Sequence, residues 1–207
     1  MMRLALFEEV LDSAPLTLPP AVHGIYLRQG EVTLDGVPLT PDAAVLAKGA
    51  ARLAGTGEVW RFEVSDAAEL TAPHEYARLV LAHPLARDPA MPFVLRLDRV
   101  DFPPEGATPK HGHAGPGIRR LLSGRLLAEV GAQAHRIDAG GAWFETGADP
   151  VIGRVMAPGS AFIRCMVLDA ELLGRPTFRA WTEEDAAKPR SASYRLFFDT
   201  LTALDAA

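Results

Sequence analysis

The chain has 207 residues, of which 48% are hydrophobic and 23% charged, so packed cores are expected, in one large domain or two small ones, and disorder is not. The net charge is −5, with 7 basic and 12 acidic side chains among residues 1–95 and 14 of each thereafter; neither half carries a basic stripe, which argues against a nucleic-acid partner. A single cysteine, Cys165, excludes an intrachain disulfide, and no apolar run reaches the roughly 18 residues of a membrane span.

The opening MMRLALFEEVLDS has too short an apolar stretch and too many acids for a secretory signal. A cytoplasmic location with no membrane partner is expected by default. The first dozen residues form one candidate helix. A second opens at Thr182, where Thr-Glu-Glu-Asp reads as a cap followed by acids. Elsewhere 17 prolines and 18 glycines separate short alternating runs, the pattern of strands and turns. In chain order these runs are GIYLRQGEVTL, EVWRFEV, YARLVLAHPL, FVLRLDRVDF, IRRLLSGRLLAEV, AFIRCMVL and YRLFFDTL. In the fourth, Phe93, Leu95 and Leu97 should face one way, and Arg96, Asp98 and Val100 the other. Many short strands without βαβ spacing predict an all-β sandwich or barrel.

A weak internal repeat is visible. Ile25–Leu34 resembles Arg119–Ala128 in pattern, each read as a strand, a tight glycine turn (Gly30, Gly124) and a returning strand. Ala47–Gly55 matches Ala139–Gly147, each leading to an apolar strand. The offsets nearly agree, which points to a duplicated module with the proline-rich stretch 84–92 as its joint.

The stretch Glu105–Gly124 contains His111-Gly112-His113 followed, eleven residues after the second histidine, by Gly124. It resembles the first cupin motif, in which Gly, five residues, His-x-His, three or four residues, Glu, six residues and Gly succeed one another. RLDRVDFPPEGATPKHGH, GPGIR, AWFETGADPV and the late EEDAAKP…YRLFFD are similar to one group of bacterial single-chain cupins of undefined role, over roughly residues 75–200. The resemblance implies an RmlC-like double-stranded β-helix, a cupin jelly roll duplicated as a bicupin. Residues 1–90 would be a degenerate module. Residues 91–207 would be the cupin module with the site and a C-terminal strand extension.

Strand residues i and i+2 share a face, so both imidazoles of His111 and His113 can point into the barrel. A surface pair on a polar loop is the bland alternative. The motif's glutamate would fall at Gly117 or Ile118, and the histidine of the second motif at about Pro150 or Val151; none of these can bind metal. Glu145 is therefore the preferred third ligand, on a strand expected to run beside the histidine pair; the competing expectation is a salt bridge to Arg119 or Arg120. Two histidines and a carboxylate suit Fe(II), and could equally hold Zn, Mn or Ni. Arg119 is the candidate catalytic residue, orienting a substrate carboxylate from the cavity while Arg120 faces solvent. Asp149 before Pro150 reads as a turn residue, His135 as structural, Trp143 and Phe144 as core aromatics, and Cys165 as a buried inert thiol.

Three functions follow as expectations. The first is a metal-dependent cupin enzyme, dioxygenase-like, acting on a small carboxylate or oxygenated metabolite. The second is a non-catalytic small-ligand-binding or sensor cupin without metal. The third is a structural dimerisation protein, with the C-terminal strand Ser193–Leu201 as the exchanged element; a homodimer is the expected assembly.

Overall fold

The computed structural model describes residues 1–70, 72 and 74–204, which form antiparallel sheets almost throughout. The chain divides into two compact units, residues 1–95 with the C-terminal residues from Thr200, and residues 96–199.

The first sheet has seven strands: β1 (Arg3–Asp12), β2 (Leu16–Thr17), β3 (Ala21–Leu34), β4 (Val37–Pro38), β5 (Ala43–Gly49), β6 (Arg52–Ser65) and β7 (Ala77–Pro84). Their order is β4-β3-β6-β1-β7, with β2 on β6 and β5 on β3. The helix expected over the first dozen residues is instead β1. Leu4, Ala5, Leu6 and Phe7 are buried in succession, and β1 is paired on both edges, to β6 and β7. A strand covered on both faces loses its period-two signature, so its apolar run looks helical.

The second sheet has eight strands: β8 (Phe93–Asp101), β9 (His111–His113), β10 (Gly117–Val130), β11 (Gln133–Asp138), β12 (Ala142–Glu145), β13 (Val151–Asp169), β14 (Phe178–Ala180) and β15 (Ser193–Thr202). The main path is β11-β10-β13-β8-β15; β12 joins β10, and β9 bridges β13 and β14. The one α-helix among the described residues, α1 (Glu183–Ala187), starts where the cap is expected, Thr182 Oγ1 accepting from the Asp185 N–H at 3.1 Å.

Neither expected glycine hairpin exists. β3 runs straight through Gly30 and β10 through Gly124, as strands of 14 residues each. Both glycines have positive φ; Gly124 is the unpaired residue of a bulge between Ser123 and Arg125, whereas Gly30 stays in register opposite Gly57, just past a slip between Leu27 and Gln29. A Cβ on Gly30 would lie 2.2 Å from the Thr56 carbonyl oxygen, and one on Gly124 2.6 Å from Ser160 Cα. The first unit's core gathers Leu11, Leu18, Ile25, Leu27, Leu53 and Val59. In the second, Val100, Leu121, Leu126, Trp143 and Phe162 pack together, beside the cavity described next. No helix among the described residues is long and apolar enough to cross a membrane.

Candidate functional site

β9 is only three residues long, and its side chains are fixed by neighbours on both edges. Val151 of β13 and Ala180 of β14 both pair with His111, and Phe178 pairs with His113. As the i, i+2 spacing predicts, both imidazoles line one cavity; their centroids are 4.8 Å apart and the rings nearly perpendicular. Phe178 stacks on His111 at 4.6 Å. His111 Nδ1 donates to the Pro109 carbonyl at 2.8 Å, which leaves its Nε2 carrying the lone pair. His113 Nδ1 is buried without a hydrogen-bond partner.

Glu145 reaches the same cavity from β12, which runs beside β10 and not beside the histidine strand as expected. In that ladder Glu145 stands directly opposite Gly117, the position where the resemblance would put a glutamate. Its Oε1 accepts from Trp143 Nε1–H at 2.8 Å. Its Oε2 lies 2.6 Å from Arg119 Nη2 and 3.4 Å from His113 Nε2. The Arg119 contact is close but poorly aligned: Nη2 and Oε2 are both buried, and neither has a well-directed hydrogen bond. Arg119 is anchored by Nη1, which donates to the Gly117 carbonyl at 2.6 Å, and only 1% of the residue is exposed.

On the other edge of β10, Arg119 faces Arg164 of β13 in register. Like charges directly opposite destabilise a ladder, so each guanidinium needs its own carboxylate. Arg164 takes Asp98, with Nε to Oδ1 at 3.0 Å and Nη2 to Oδ2 at 2.7 Å; Arg119 takes Glu145. Sequence reasoning missed both Arg164 and Asp98 as site residues. The available signal was charge inside two apolar strands, Arg164 in FIRCMV and Asp98, with Arg96 two residues before it, in FVLRLD.

The cavity measures about 40 Å³ and is otherwise walled by apolar side chains, among them Val100, Leu126, Trp143, Phe162 and Val151. At about 10–15 Å³ per water, it holds three or so waters, or one small anion. Burial lowers the pKa of His111, and burial with Arg119 and Arg164 holds His113 well below its ordinary value, so both rings are neutral at pH 7. Burial also brings Arg119 down to about 10, which still leaves it charged.

Other expected residues fall elsewhere. Arg120 is not solvated: it is 2% exposed, and its Nε donates to the Gly140 carbonyl at 3.2 Å. Asp149 is the expected turn residue, accepting from the Thr146 hydroxyl at 2.6 Å. His135 is exposed on β11 with Gln133 at 3.1 Å. Cys165 is fully buried, and burial pushes its thiol far above the ordinary range.

The expected metal centre of His111, His113 and Glu145 meets a physical obstacle. The three side chains line one cavity, yet among the described residues no group of three His, Cys, Asp or Glu side chains is arranged to hold a metal ion. The Glu145 charge is already spent on Arg119, and two guanidinium groups face the space where the ion would sit. This donor set does not fit a resident divalent cation.

Several solved structures superpose on the chain. A cupin 2 conserved barrel domain protein from Leptotrichia buccalis matches with TM-score 0.50 at 12% identity, over 80% of this chain and 83% of that one. An IolB-like protein from Salmonella typhimurium gives TM-score 0.58 at 12% identity, over 88% and 89%. A salicylate 1,2-dioxygenase from Pseudaminobacter salicylatoxidans gives 0.52 at 9% identity, over 94% and 74%, and a variant of that enzyme has been solved in complex with gentisate. No family model matches the sequence, and no curated protein matches it.

Proposed function

From the cupin jelly-roll fold that this chain has, we propose that it binds a small carboxylate or comparable oxygenated metabolite in the cavity of its second module, anchored on Arg119. The observation that carries this reading is the cross-strand pair of buried guanidinium groups, Arg119 and Arg164, with Arg119 Nη2 lacking a well-directed acceptor. A buried donor whose acceptor is poorly aligned forfeits part of a hydrogen bond, and a ligand oxygen placed in line with it recovers that cost. Two neutral imidazoles and the Trp143 indole supply the remaining walls, the mix of apolar surface and few polar groups that suits a small ligand. The division into a worn-down module of residues 1–90 and a ligand-binding module of residues 91–207 belongs to the same proposal. It is supported by the cavity lining, every residue of which falls between Val100 and Tyr194.

One observation favours the enzyme reading. His111 presents Nε2 as a lone-pair donor because Nδ1 is held by Pro109, the arrangement in which a histidine binds metal. A homodimer is the remaining element, and the exposed Tyr194 and Leu196 on β15, at the end of the second sheet's main path, offer it a surface.

The test is a thermal-shift and calorimetric screen of one- to three-carbon carboxylates on untagged, EDTA-dialysed protein. At least one acid should raise the melting temperature, and Arg119→Gln should weaken its binding tenfold or more. A flat screen, together with stoichiometric Fe, Mn, Ni or Zn in undialysed protein that disappears in a His111→Ala, His113→Ala double variant, would replace this reading with the metalloenzyme.

A further inference from the structure

We infer that the Arg119 guanidinium stands in the place of a metal ion, as a built-in cation that keeps divalent metals out of the His111, His113 and Glu145 cluster. The inference rests on the reading of Arg119 as the cation of the site. Its grounds are geometric. Arg119 Nη2 lies 2.6 Å from the same Glu145 oxygen that His113 Nε2 approaches to 3.4 Å, so the guanidinium and the imidazole converge on the one carboxylate oxygen that an ion would need. His111 already has Nδ1 on the Pro109 carbonyl and its Nε2 lone pair free.

The guanidinium cannot be treated as a mobile surface group. Arg119 is 1% exposed in the middle of a four-strand neighbourhood, with Trp143 across one ladder and Arg164 across the other. Nη1 ties it to the carbonyl of Gly117 on its own strand. Arg164 is held on Asp98 by both Nε and Nη2, so it acts on Glu145 only as a neighbouring charge and not as its paired guanidinium. Taking away the guanidinium at residue 119 would therefore leave Glu145 with one hydrogen bond, from Trp143, and with the two imidazoles lining the same cavity. Two imidazoles and a carboxylate no longer held by a guanidinium form the set that first-row divalent metals bind.

The restored sequence of the motif could not produce the same result. A side chain at position 117, where the resemblance would put a glutamate, would begin with a Cβ 2.5 Å from the Cys165 carbonyl oxygen. The carboxylate has to come from Glu145, and the only change needed to free it is at Arg119.

The test is Co²⁺ titration of the full chain, read by its visible absorption bands and by equilibrium dialysis. Wild-type protein and Arg119→Lys, which keeps the charge, should take up no Co²⁺ at the site. Arg119→Met should bind one ion per chain at least about 100-fold more tightly than wild type, since the charge removed lies against the ligating oxygen. Adding His113→Ala to Arg119→Met should abolish that site. A wild-type chain that binds one Co²⁺ as tightly as Arg119→Met overturns the inference, and so does a folded Arg119→Met that binds none. The wild-type arm stands without any variant, and Arg119→Gln is the substitute if Arg119→Met fails to fold. Carboxylate binding by wild type with no Co²⁺ uptake by either variant would sink this inference alone. The converse, Co²⁺ uptake by Arg119→Met with no carboxylate bound by wild type, would sink only the ligand proposal.

Discussion

Replacing Asp98 with asparagine keeps the shape of the side chain and removes the charge that balances Arg164. Asp98 is 4% exposed and Arg164 7%, and the pair is bidentate at 3.0 and 2.7 Å. Without it, Arg164 would be a buried cation facing a second cation, Arg119, directly across the β10–β13 ladder. Breaking a buried pair by removing one partner costs about 3–5 kcal/mol, most of it the desolvation of the charge left behind. At roughly 2–4 °C per kcal/mol for a chain of this size, the melting temperature should fall by about 6–20 °C. Arg164→Met should cost a similar amount by stranding the carboxylate. The Asp98→Leu, Arg164→Met double variant should recover most of the loss, because a buried pair replaced by apolar groups is close to neutral. Urea denaturation followed by far-UV circular dichroism measures all three. A single variant costing less than about 1 kcal/mol, or a double variant as unstable as the sum of the singles, would refute the argument that these two charges compensate each other in a desolvated site.

Three further outcomes are expected. Cys165, with its thiol pushed up by burial, should resist a thiol-specific disulfide reagent at pH 8 in the native state and react once in denaturant; rapid stoichiometric labelling of native protein would contradict its burial. His23 is fully buried and brought down to about 4, by burial first, so the unfolded chain takes up its proton more readily than the folded one. The stability it contributes is complete above about pH 6.5 and is lost as pH falls toward 4, about 3 kcal/mol in all. His23→Gln should flatten that slope, and parallel stability curves for the two proteins would exclude the assignment. Trp143→Phe removes the indole donor to Glu145 at 2.8 Å and should destabilise by about 1.5–3 kcal/mol in the same urea assay; no measurable change would mean that Glu145 does not depend on it.

The all-β class was legible because most strands alternate and glycine and proline divide them. β1 was not, since Leu4 to Phe7 are buried on both faces of the strand in an unbroken run. Gly30 and Gly124 misled for a local reason: a positive-φ glycine inside a strand and one at a hairpin have the same sequence, and only the partner ladder distinguishes a continuing strand from a turn. At the site, the histidine pair was readable because strand geometry alone puts positions 111 and 113 on one face. The alternatives for Glu145, ligand or partner of Arg119, could not be separated by spacing, because they depend on which strand lies beside β10. Arg164 and Asp98 were hidden for the same reason. Each is a charge within an apolar run, and its meaning comes from a partner 66 positions away.

Glu145 stands across the sheet from Gly117. A site charge can thus be delivered sideways, from the adjacent strand, while the position that a linear motif reserves for it is sealed by the Cys165 carbonyl. Read along β10 alone, the cavity would have no carboxylate at this level; read across the ladder, it has one. What such a pocket requires is therefore a charge at one level of the ladder, and the pairing of two strands decides which of them has room to carry it.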